Sequence, residues 1–125
     1  MASFFVTAGD TEYKGETAPA TKQWEALHIA LNSKLVLGMK EGVSDQALVV
    51  MVMGTPREDI KRLESLLLTD MVMRADDDVP VAVNLFKDSI QEYALLLGKV
   101  ARENLGGFYE LRSDNGNATA PEPQA

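Results

Sequence analysis

Thr55-Pro56-Arg57-Glu58 opens the stretch TPREDIKRLESLLL, residues 55–68, the sharpest boundary in the chain. Thr55 is an N-cap candidate, Pro56 suits the first helical position, and Glu58 completes a capping box. Ile60, Leu63, Leu66, Leu67 and Met71 then recur at helical steps, which predicts a helix over 56–71 with one buried face. Working back, Ser44 caps a helix over 44–53 holding Leu48, Val49, Met51 and Val52, though its β-branched residues leave a strand open as the alternative. Trp24, Leu27, His28, Leu31 and Leu35 mark a helix over 21–38 that stops near Gly38 to Gly42. Residues 3–14 read as a β-hairpin turning at Gly9-Asp10, followed by the linker GETAPA. Working forward, Asp76-Asp77-Asp78 lies in a polar connector. Leu85, Phe86, Ile90, Tyr93, Leu96, Leu97 and Val100 stripe a helix over 81–105, which Gly106-Gly107 stops. Residues 113–125, SDNGNATAPEPQA, hold no core former and read as a disordered tail. The expected fold is therefore mainly α: a small helical bundle, one domain over 1–112, with an N-terminal β-hairpin and a disordered C-terminal tail.

A chain of 125 residues, 46% hydrophobic and 25% charged, suits one globular domain. It has no cysteine, so disulfides, thiolate metal sites and thiol nucleophiles are excluded together. Its net charge of -7 opposes contact with nucleic-acid phosphates and with anionic membranes. The longest apolar run, Ala47 to Met53, falls well short of the roughly 20 residues of a membrane span. The start, MASFFVTAGDTEYKG, has no basic segment followed by a long apolar one, so no signal peptide is read.

Residues that might carry chemistry have simpler readings. His28 stands alone as the single histidine and reads as a satisfied or half-buried helix residue. Asp76-Asp77-Asp78 lacks the glycine and the closing glutamate of a calcium loop, and reads as a solvated turn whose Asp78 caps the last helix. Glu58, Asp59 and Glu64 read as first-turn and solvent charges, and Asp88 and Glu92 as an exposed pair. No serine sits in a nucleophile elbow and no glycines form a phosphate loop. No catalytic, cofactor-binding or metal residues are assigned, and the chain is read as a binding protein, not an enzyme. Met39, Met51, Met53, Met71 and Met73 cluster mid-chain. They are either ordinary core filling or an adaptable apolar groove for a helix of another protein.

Taken in order, several segments resemble the tail assembly chaperones of long-tailed bacteriophages. These are the β-type start FFV and EYKG, a helix opening at Gln23-Trp24, the Pro56-Arg57-Glu58-Asp59 start before a leucine-rich run, Val72-Met73-Arg74, and a closing Asn104-Leu105-Gly106-Gly107-Phe108-Tyr109. The resemblance spans residues 3–111. It departs from the family in having aspartates where a loop tryptophan is common, and Phe-Tyr where Phe-Phe often closes the helix.

The resemblance implies a protein of the infected host's cytoplasm, absent from the mature virion. It would bind the long helical tape measure protein, keep it soluble and promote assembly of the tail tube. Tail tube protein and a frameshifted longer form of the chain itself are further implied partners, and a homo-oligomer is open. Trp24, Met51, Met53, Phe86, Tyr93 and Phe108 are the expected protein-binding residues. The rival readings are a structural tail completion or head–tail adaptor protein, and an antitoxin-like interaction module.

Overall fold

The chain begins with two antiparallel strands, β1 (Ser3–Ala8) and β2 (Thr11–Glu16), in the computed structural model, which describes residues 2–40, 42–81, 86 and 89–119, the stretch 108–119 as backbone only. Gly9 takes φ 63° and Asp10 stays at negative φ, the pattern of a type II′ turn. Phe4, Val6 and Ala8 alternate inward while Ser3, Phe5 and Thr7 face out. A third strand, β3 (Val72–Arg74), pairs antiparallel with the far side of β2, with Tyr13 opposite Arg74 and Gly15 opposite Val72.

This third strand overturns the expectation of a mainly α bundle. The fold is α+β, with a three-stranded antiparallel sheet in the order β1-β2-β3. Val72-Met73-Arg74 is too short to show alternation, and its pairing comes from β2, far away in sequence. Gly15 stays inside β2, beyond the hairpin read over 3–14, for reasons of space. A Cβ there would lie 2.6 Å from the Met71 carbonyl oxygen and 2.9 Å from a Val72 methyl. The chain then doubles back: Arg74 N–H donates to Val79 O, and Val81 N–H donates to Val72 O. The aspartate run forms the tip of that turn. Asp77 pairs with Arg74 and Asp78, at φ 59°, pairs with Lys14, so Asp78 is not a helix cap.

Helix α1 (Ala20–Leu31) ends earlier than its apolar pattern suggests. Ser33 turns extended, and its hydroxyl accepts Leu35 N–H at 3.3 Å to start a separate 3-10 turn, Lys34–Met39. Helix α2 (Asp45–Met53) is helical and capped by the Ser44 hydroxyl on Ala47 N–H, 3.2 Å. Thr55 does not cap α3 (Arg57–Leu63). Its hydroxyl donates backward to Met51 O at 2.9 Å, closing α2, and Pro56 leads into α3 without a side-chain cap. A π turn, Glu64–Leu68, extends α3. The turn lets three consecutive leucines, Leu66 to Leu68, be buried together, which no single stripe of an α-helix permits.

Helix α4 (Ile90–Thr119) crosses beneath the sheet and touches β1, α2, the 3-10 turn, the π turn and α1. Its buried face is Tyr93, Leu96, Leu97, Val100 and Leu105. It runs through Gly106 and Gly107, where the sequence reading stops it, and includes 113–119 of the expected tail. Leu85, Asp88 and residues 120–125 lie outside the described residues. Gly98 sets the closest helix crossing: a Cβ there would fall 2.6 Å from Leu48 Cγ, so its hydrogen alone lets Leu48 of α2 sit against α4.

Candidate functional site

The corner Gly54-Thr55-Pro56 turns α2 sharply into α3, and α4 closes the third side. Between them lies an open cleft of about 390 Å³. Val52 and Met53 come from α2, Ile60 from α3, and Ile90, Tyr93 and Ala94 from α4. Arg57, Lys61 and Glu64 stand on its α3 side. The spacing explains the grouping. Residues 57, 60, 61 and 64 fall on one helical face, as do residues 90, 93 and 94. Met53 is 53% exposed and Ile90 49% exposed, so the apolar lining is open to solvent rather than sealed.

The cleft has a polar floor. The Tyr93 ring is buried, packed edge-to-face on Phe86 at 5.5 Å, and its hydroxyl is hydrogen-bonded to the Glu64 carboxylate. Burial, and then the Glu64 charge, push the Tyr93 phenol well above the ordinary tyrosine value, so it stays a neutral donor. Glu64, expected as a solvent charge, is therefore part of the cleft. Glu92 is likewise not a free surface charge. The Tyr13 hydroxyl points at it from 3.5 Å, and burial together with that charge raises the Tyr13 phenol. Among the described residues, Arg57 and Lys61 form no ion pair, whereas Arg62 on the far side of α3 is tied to Glu25 of α1. That pair draws the Glu25 carboxyl below its usual range.

The six expected binding residues do not share one surface. Met53 lines the cleft and Tyr93 forms its floor. Met51 is half-buried, its sulfur against Gly38, and belongs to the core. Phe86 is core as well, between Tyr13 at 6.0 Å and Tyr93. Trp24 is 69% exposed on α1, in a separate shallow depression with Thr21, Glu25 and His28. His28 is exposed there, not half-buried. The Phe108 side chain lies outside the described residues. Ile60, Ile90, Ala94, Arg57 and Lys61 were missed as site residues. The i, i+4 pairs Ile60/Glu64 and Ile90/Ala94 were the available signal, but nothing in the sequence brings α3 against α4.

Two motif residues have a structural task. Asn104 Oδ1 accepts Ala18 N–H at 2.7 Å and Gln23 Nε2 at 3.4 Å, while its Nδ2 donates to Val100 O at 2.9 Å. Asn104 thus latches the entry of α1 onto α4. Among the described residues, no three His, Asp or Glu side chains converge as a metal set, and no helix is long and apolar enough to cross a membrane. Comparison with known proteins yields no match: no family model fits the chain, and neither a curated protein nor a solved structure is significantly similar to it.

Proposed function

We propose that this chain is a holding protein whose α2–α3–α4 cleft takes the apolar stripe of a helix from a longer partner. The observation that supports this is the apolar lining of the cleft, in which Met53 and Ile90 are open to solvent and Ile60 is half-buried over the buried Ala94, bordered by Arg57 and Lys61, which form no ion pair among the described residues. Met53 and Ile90 are exposed side by side around one concavity and not scattered singly. Left open, they suit helix-in-groove recognition, in which anchors at i, i+3, i+4 and i+7 fill the groove and charges on the rim fix orientation. The surrounding acidic surface keeps the holder soluble while its partner is bound. Joined to the motif order from Gln23-Trp24 to Phe108-Tyr109, this reading becomes a phage tail assembly chaperone that holds the tape measure protein.

The test is co-expression with a phage tape measure protein. Wild type should bring that protein into the soluble fraction as a co-purifying complex. Met53→Asp should lose the complex at least tenfold while its circular dichroism stays that of wild type, since Met53 is on the surface. A partner left insoluble beside wild type, or held equally well by Met53→Asp, rejects the reading.

A further inference from the structure

The hydrogen bonding of the sheet shows which backbone groups remain open. Thr17 N–H donates to Ala2 O at 2.8 Å, and the β1–β2 register runs Phe4 to Gly15, Val6 to Tyr13 and Ala8 to Thr11 around a two-residue turn. In such a hairpin the pair flanking the turn exchanges both bonds, and bonded pairs then alternate. Ala2, Phe4, Val6 and Ala8 therefore bond to β2, while Ser3, Phe5 and Thr7 aim their N–H and C=O groups away from the sheet. On β2 the opposite set is used: Glu16 N–H donates to Met71 O and Glu12 O accepts Ala75 N–H. The sheet order leaves β1 as an edge. Among the described residues the one partner on this outward row is Lys99 Nζ, 2.7 Å from Thr7 O.

Proteins usually blunt such an edge with charge, proline or a bulge. SFFVTA has no charged residue and no proline, its six-residue register with β2 is unbroken, and Phe5 is 63% exposed. We propose that this edge is covered by β1 of a second copy, antiparallel, about a two-fold axis at Phe5.

The strand is complementary to itself in that register. Phe5 meets Phe5 of the second copy and exchanges both backbone bonds with it. Ser3 meets Thr7, and the Thr7 carbonyl has a second lone pair beyond the one Lys99 uses. On the inner face Phe4 lies beside Val6, continuing the core side of each sheet. On the outer face the two exposed phenylalanine rings become cross-strand neighbours. Electrostatics favours this contact for an acidic chain that otherwise repels its copies. The strand is uncharged, and the charge that reaches its outward row, Lys99 at Thr7 O, is paired with Asp45 at 3.5 Å. The charges on the two β2 strands would lie three strand spacings apart, roughly 14 Å, beyond a screening length of about 8 Å at physiological salt.

Phe5→Pro tests the pairing directly. The Phe5 N–H points outward, so proline removes no bond of the hairpin and is tolerated on an edge strand. It does remove the central bond to a second copy. Phe5→Lys keeps the N–H but sets two charges against each other at the axis. Light scattering coupled to gel filtration across a concentration series should give twice the monomer mass for wild type and the monomer mass for each variant that keeps the wild-type circular dichroism. Phe5→Lys decides if Phe5→Pro loses that signal. A wild type that is monomeric throughout, including one that instead binds a strand of another protein, or a dimer that survives the deciding substitution, overturns the proposal.

Discussion

Helices α1 and α4 carry the same sequence signal and resolve it differently. Each has large apolar residues at three- and four-residue steps. In α4 that stripe is the core: Tyr93, Leu96, Leu97 and Val100 are buried against the sheet and α2. In α1 the corresponding stripe is split: Trp24, His28 and Leu31 face solvent, Leu27 is half-buried on the core beside Ala26, Ile29 and Ala30, and Leu35 is buried beyond the end of the helix. The small face lets α1 approach the π turn, α3 and α4 closely, and the Asn104 latch together with the Glu25–Arg62 pair holds that rotation. A stripe thus identifies an amphipathic helix without saying which face is inside, because dense packing of alanines against a neighbour can outweigh burying a few larger groups.

Three substitutions test how deep this contrast goes. Leu97→Ala should have the largest effect, a loss of about 2–5 kcal/mol of unfolding free energy in urea titration, because it leaves a cavity under the sheet. A loss below about 1 kcal/mol would mean that the α4 stripe is not the core. Gly98→Ala comes next. The added methyl must displace Leu48, which is also held by Gly38, at a cost of about 1–3 kcal/mol. The gain in helix propensity offsets about 1 kcal/mol of this. A net stabilisation in the same titration would show that α2 does not approach α4 so closely. Trp24→Ala should matter least, within about 0.5 kcal/mol, because the indole is exposed. As Trp24 is the single tryptophan, the wild-type protein should also fluoresce with the red-shifted spectrum of a solvated indole. A blue-shifted spectrum in the dilute protein would place α1 in the other rotation.

Local signals were legible where local chemistry decides. The Gly9-Asp10 hairpin, the Ser44 cap and the helix beyond it, and the segment after Pro56 are all placed by the sequence within a few residues. The capping-box pattern at Thr55 does not become a cap because the Thr55 hydroxyl is taken by Met51 O at the end of α2. β3 was invisible because three residues cannot display a period and their partner lies in β2. Aromatic or methionine identity marks an adaptable apolar group but not its exposure. Phe86 and Met51 therefore went to the core, while Ile60 and Ile90, ordinary aliphatic residues, line the cleft.

Residue identity and spacing alone determined that this is a cysteine-free acidic chain of amphipathic helices behind a hairpin, since each of those features needs only neighbours within a few positions. Tertiary packing decided the rest: the third strand, the outward rotation of α1 and the cleft between α2, α3 and α4. These depend on which distant surfaces fit together at close range, as Leu48 fits against Gly38 and Gly98, and that fit is a property of shape in three dimensions that no periodicity along the chain encodes.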